Sequence, residues 1–106
     1  MKSLEVVWSA TALADLDEIL AYIRGQDPVT ADRVAARINE RVGTLSIHPR
    51  LGRAGRVRGT RELVVAPFII AYELAGDLVV VLAVLRGRRR WPRSFVRGAG
   101  SVRWLP

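Results

Sequence analysis

Residues Leu78 to Leu85 read LVVVLAVL, eight apolar residues with no polar alternation. The run is far too short to cross a membrane, which takes about 20 apolar residues. Its β-branched content makes it a strand, and the missing alternation predicts a central one, covered on both faces. AGD (Ala75–Asp77) before it reads as a hairpin connection, preceded by FIIAYEL (Phe68–Leu74), a second strand. Ala66-Pro67 is a turn, and TRELVV (Thr60–Val65) a third strand. In that strand Arg61, Leu63 and Val65 share one face, and Thr60, Glu62 and Val64 the other. Three strands in succession form an antiparallel meander, which needs a cover.

The N-terminal half supplies it. LEVVW (Leu4–Trp8) reads as a fourth strand. Ser9 offers an N-cap, and Leu13, Leu16, Ile19, Leu20 and Ile23 follow with helical spacing. Gly25 predicts the stop, so this helix spans about Ala10–Arg24. Asp27 caps a second helix with Pro28 at its first position, where a missing N–H costs nothing. Ala31, Val34, Ala35, Ile38, Val42 and Leu45 form its apolar stripe, and His48-Pro49 ends it. The order is β-α-α-β-β-β, an α+β fold with an N-terminal helical hairpin on one face of the sheet. At 106 residues this is one domain, 1–92, with 93–106 as a basic C-terminal tail. Met1–Trp8 is too short and mixed for a signal peptide, and cysteine is absent, which fits a cytoplasmic protein.

Charge is segregated. Residues 1–47 hold five basic and seven acidic residues, a balance of −2; residues 48–106 hold twelve and three, a balance of +9, and together they make the net +7. Such asymmetry points to a polyanionic partner: nucleic acid, a ribonucleoprotein or an acidic protein segment. Two regions concentrate it. The central strand runs into Arg86, Arg88, Arg89 and Arg90 before Trp91-Pro92, and the loop Pro49–Gly59 carries Arg50, Arg53, Arg56 and Arg58. The loop composition suits contact with a phosphate backbone and equally suits a solvated loop. Its glycines do not match a phosphate-binding loop between strand and helix. Arg61 stands at a strand start, either pairing with Glu73 or Asp77 or pointing into a cleft beside Arg86. Tyr72 lies mid-hairpin, as a core tyrosine bonded through its hydroxyl at the sheet edge or as a site residue. His48 is the sole histidine and has no second ligand nearby, so a zinc site or a catalytic triad is unsupported. Asp15, Asp17 and Glu18 read as a solvated helix surface near a positive dipole end. No metal or cofactor is expected.

Taken together, W-S-x-x-A-x-x-D-L-x-x-I-x-x-Y-I (Trp8–Ile23), HPRLGRAGRVRGTRELVV (His48–Val65), IIAYEL and VLAVLRGRRRWP are similar to the RelE/ParE superfamily of type II toxin–antitoxin toxins. The resemblance covers about residues 4–95. It implies a helical hairpin on a four-stranded sheet. It also implies an antitoxin partner whose C-terminal segment, acidic to suit the basic half, folds on the toxin. Two activities occur in the superfamily: ParE-like poisoning of DNA gyrase, and RelE-like, metal-free cleavage of messenger RNA on the ribosome. The nuclease branch carries two alternating lysines where this chain has Glu62 and Val64, and an arginine at about Ile69. A histidine common in relatives is replaced by Arg86. A guanidinium stays protonated at neutral pH, so it clamps an anion but cannot serve as a general base. The resemblance therefore implies ParE-like action on gyrase, with an arginine-based ribosomal nuclease as the alternative. On either reading Arg61, Arg86, Arg88, Arg89 and Tyr72 form the catalytic or target-binding set. Arg50, Arg53, Arg56 and Arg58 form an anion- or partner-binding loop.

Overall fold

The computed structural model describes residues 3–87. Within them, β1 (Glu5–Trp8) leads into α1 (Ala10–Gln26) and α2 (Pro28–Gly43), and a 3-10 turn over Thr44–Ser46 follows. A two-residue strand β2 (Arg53–Ala54) then precedes β3 (Arg61–Val65), β4 (Phe68–Ala75) and β5 (Leu78–Arg86). The sheet order is β1-β5-β4-β3-β2, with β1 parallel to β5 and every other pair antiparallel. The expected helical hairpin and the four expected strands are present. The fifth, β2, lies within the loop the sequence marks as irregular.

The helix boundaries follow from their caps. Ser9 Oγ accepts the Ala12 N–H at 3.0 Å, starting α1 where expected. Gly25 does not stop it; α1 runs on to Gln26, and Asp27 alone separates the helices. The Asp27 N–H closes α1 on the Ile23 carbonyl at 2.8 Å, while its carboxylate opens α2 by accepting the Val29 N–H at 3.1 Å. Pro28 occupies the first turn of α2, as expected. The hydrogen bond from Thr30 to Asp27, the largest influence, holds this carboxyl below its ordinary value.

The hairpin covers one face of the sheet. Ala12, Ile38, Val42 and Leu45 pack there on Leu63, Val65, Phe68, Ile70, Tyr72, Val79, Val81 and Val84. On the opposite face Ile69, Ala71, Val80, Leu82, Ala83 and Leu85 are buried too. Alternation along β5 is broken once: Ala71 pairs with Ala83 but Tyr72 with Val81, leaving Leu82 as the extra residue of a bulge. Leu82 and Ala83 consequently belong to the same face. This double-sided burial is why Leu78–Leu85 carries no polar residue. Ala75 and Leu78 pair across a two-residue turn, and Gly76 takes the positive φ (61°) that such a turn requires.

β5 is longer than β1, so part of its outer edge lacks a strand partner. α1 takes over there. The Ser9 N–H bonds the Val81 carbonyl at 2.9 Å, and its hydroxyl donates to the Leu82 carbonyl at 3.2 Å. Six residues further along α1, Asp15 Oδ2 accepts the Val84 N–H at 3.0 Å. Asp15 is therefore not a solvated surface residue; it completes the hydrogen bonding of the central strand. Burial, the dominant cause, raises its pKa above the ordinary value against the opposing hydrogen bond from Val84.

Candidate target-binding surface

Antiparallel pairing sets where the basic residues stand. Arg61 pairs with Tyr72, and four residues later Val65 pairs with Phe68, which in turn pairs with Arg86. Since β5 runs in the same direction as β3, its exit lies beside the end of β3, about 13 Å along the strand from Arg61. The expected cleft holding Arg61 beside Arg86 does not form. Arg86 stands exposed at the far corner, where the Gly87 N–H bonds the Pro67 carbonyl at 2.7 Å and Arg37 of α2 bonds the Ala66 carbonyl. Arg88 and Arg89 lie outside the described residues.

Arg61 pairs with neither Glu73 nor Asp77 through any described salt bridge. It donates through NH1 to the Gly52 carbonyl at 2.8 Å and the Arg50 carbonyl at 3.3 Å, holding the loop to the strand. Tyr72 works beside it. Its side chain is fully buried; its hydroxyl donates to the Pro49 carbonyl at 2.7 Å and accepts the Gly52 N–H at 2.9 Å. Burial, first among the causes, raises the phenol pKa. Both hydroxyl bonds are thus committed to the chain's own backbone, which is the core-tyrosine alternative of the sequence reading. Gly52 is required for this approach: a Cβ there would sit 2.7 Å from the Tyr72 ring and 2.9 Å from the Glu62 carbonyl oxygen.

The arginine loop divides in two. Glu62, only 3% exposed, receives Arg53 at 3.4 Å and Arg56 Nε at 3.0 Å, and accepts the Arg56 backbone N–H at 3.1 Å. A carboxylate so buried is tolerable because it is paired and hydrogen-bonded. Arg53 and Arg56 are therefore engaged by this ion cluster, with β2 as its frame. Nothing in the sequence period of β3 announced the cluster; the available signal was a glutamate at a strand position preceded by arginines in a short loop. Arg50 and Arg58 are exposed and make no described salt bridge.

On the sheet face away from the helices, register places Glu62 opposite Ala71 and Val64 opposite Ile69. Around them a shallow cleft of about 470 Å³ is lined by Arg53, Ala54, Gly55, Arg56, Glu62 and Ile69. Val64, Ile69, Ala71, Ala83 and Leu85 bring no charge to this face. Among the described residues no group of three or more His, Cys, Asp or Glu is placed to hold a metal ion. No described helix is long and apolar enough to cross a membrane.

The sequence pattern of a family described as the ParE toxin of the type II toxin–antitoxin system parDE matches residues 6–91, from within β1 to past the end of β5. The chain belongs to the ParE toxin family. Among curated relatives, Y4kP of Sinorhizobium fredii, a protein named as a toxin, is 44% identical over 95 residues, covering 88% of this chain and 98% of its own. The toxin RelE2 of Caulobacter vibrioides is 34% identical over 85 residues, 80% of this chain and 97% of its own. Among solved structures, a chain of the chromosomal ParDE toxin–antitoxin system from P. aeruginosa superposes with a TM-score of 0.73 at 26% identity, over 81% of this chain and 98% of that one. A chain of the RelBE2 toxin–antitoxin complex from Mycobacterium tuberculosis gives 0.59 at 25% identity, over 79% and 98%. The helical hairpin and meander of this ParE-family chain are thus those of chains solved within toxin–antitoxin systems. Relatives of both ParE and RelE designation share them.

Proposed function

We propose that this ParE-family chain arrests growth by binding DNA gyrase and is neutralised by a cognate antitoxin. One observation carries the choice between gyrase and ribosome. At the strand positions where the RelE-type ribonuclease has its lysines and arginine, this chain has Glu62, Val64 and Ile69, and register brings them onto one face. The cations nearest that face, Arg53 and Arg56, reach Glu62. A scissile phosphate placed there would meet a buried carboxylate and apolar side chains instead of stabilising cations. Binding chemistry is what remains. The exposed Arg86, together with Arg88 and Arg89, serves as the target-binding patch; Arg50 and Arg58 extend the basic surface for the antitoxin.

The test is a side-by-side assay. Purified chain added to DNA gyrase is expected to block supercoiling, and Arg86→Ala to weaken the block roughly tenfold, as loss of one well-placed interface arginine does. In a translating extract, messenger RNA is expected to stay intact. Unaltered supercoiling together with cleavage at fixed codon positions would establish the ribosomal nuclease instead.

A further inference from the structure

Residues 47–61 contain five arginines and no carboxylate. Within them, one short segment is apolar, exposed and unusually well held. Ile47 is 54% exposed and Leu51 52%, and with His48, Pro49 and Arg50 they line an open cleft of about 610 Å³. The segment has little freedom. Its carbonyls at Pro49, Arg50 and Gly52 are tied by Tyr72 and Arg61, and its N–H at Gly52 by Tyr72. The His48 N–H is tied to the Thr44 carbonyl at 2.8 Å and the Leu51 N–H to the His48 carbonyl at 3.1 Å. A rigid backbone that displays two large apolar side chains to solvent is a poor use of the hydrophobic effect unless something covers them.

We infer that the Ile47–Leu51 cleft is a docking site for an acidic segment of the antitoxin, seating an apolar side chain in the cleft with carboxylates against Arg50 and Arg61. This rests on the antitoxin reading above and deepens it. Charge complementarity names the occupant. Arg53 and Arg56 are occupied by Glu62, but Arg50 is exposed and without a described salt bridge, and the Arg61 guanidinium is anchored beside its carbonyl. The cleft is therefore apolar in the middle and cationic at its rim, a poor fit for contact with a phosphate backbone alone, which brings charge but no apolar anchor. The tethers matter for affinity: an epitope already fixed in its bound shape loses little conformational entropy on association.

The probe is the polypeptide encoded by the reading frame adjoining that of this chain, titrated against the full-length protein. Leu51→Asp and Ile47→Asp are each expected to weaken binding at least ~10-fold, the scale of a central apolar anchor lost. Arg50→Glu is expected to weaken it several-fold, with a deficit that shrinks as salt is raised while that of Leu51→Asp persists. Both apolar positions are half exposed, so melting temperatures should stay near wild type; Leu51→Ala, which introduces no charge, guards against a misfolded variant and is expected to weaken binding more mildly. Unchanged affinity in the three cleft variants, with tight binding to wild type, overturns the cleft and leaves the antitoxin reading standing. No binding to wild type overturns both. Loss of binding in Arg50→Glu alone, with both apolar variants unaffected, would show a polyanion surface instead and overturn the apolar anchor.

Discussion

The two sides of the sheet are finished with opposite chemistry. β5 outlasts β1 on one side, and β3 outlasts β2 on the other. On the β5 edge, α1 donates and accepts through Ser9 and Asp15, and the edge disappears beneath the helical hairpin. On the β3 side a loop is fastened at the residues β2 pairs with, through Glu62 with Arg53 and Arg56, and through Tyr72 and Arg61 with the backbone of residues 49–52. The first solution ends in a dry core. The second fixes a charged, partly apolar surface facing solvent. A helix can hide an edge, but it also uses up the surface; a loop stapled beside an edge leaves its outer side for a partner.

If the β3 edge is a tightly fitted staple, crowding it should cost most. Gly52→Ala puts a methyl 2.7 Å from the Tyr72 ring with backbone of β3 on its other side, so the loop must shift. Overpacking of this kind is expected to destabilise by about 3 kcal/mol, read from urea midpoints at constant slope. Next comes the ion cluster. Glu62→Ala strips the partner from Arg53, Arg56 and the Arg56 N–H; since Arg53 keeps access to water, the expected loss is about 2 kcal/mol, below that of a fully buried pair. Glu62→Gln should recover part of it, because the amide oxygen still accepts the Arg56 N–H. A loss under ~0.5 kcal/mol in Glu62→Ala would mean that β2 is an ornament of the loop rather than its frame.

Tyr72→Phe probes the staple at a single atom. The ring stays and the core keeps its volume, while the Pro49 carbonyl and the Gly52 N–H lose their partner. About 1–2 kcal/mol is expected. Amide exchange should sharpen the comparison: protection at Gly52 is expected to fall, with Val81 and Val84 on the other edge unchanged.

Much of this contrast was legible in the chain, and the rest was hidden for physical reasons. The helix caps at Ser9 and Asp27, the apolar stripes and the two-sided burial of Leu78–Leu85 are local patterns with one reading each. β2 was not legible, because two residues in a Gly- and Arg-rich loop carry no alternation; only Glu62 across the ladder makes Arg53–Ala54 a strand. The separation of Arg61 from Arg86 follows from strand direction, a property of the assembled sheet, although counting hairpins from β3 to β5 would have given it. Asp15 misled for a different reason. Three carboxylates near a helix start look alike in sequence, and only the excess length of β5 over β1 singles out the one that meets a free N–H.

Asp15 supplies the smallest and most discriminating test of the β5 edge. Its carboxylate accepts the Val84 N–H, yet burial raises its pKa from the ordinary 3.8, so the folded state prefers the protonated form more than the unfolded chain does. The sign follows. The favourable contribution is fully present below pH 3.8 and is lost as pH rises through the raised folded value. Asn at this position keeps an oxygen for Val84 and never ionises. Asp15→Asn is therefore expected to gain on wild type as pH climbs from below 3.8 through the raised folded value, and to equal or exceed it in melting temperature at neutral pH. Asp15→Ala, which leaves the N–H without its acceptor, should lose about 1 kcal/mol below pH 3.8, a deficit that shrinks as pH rises through the raised folded value. If Asp15→Asn instead falls with Asp15→Ala at neutral pH, the negative charge itself holds the helix to the strand. The β5 edge would then rely on charge as the β3 edge does, and the contrast between them would narrow to what each leaves exposed.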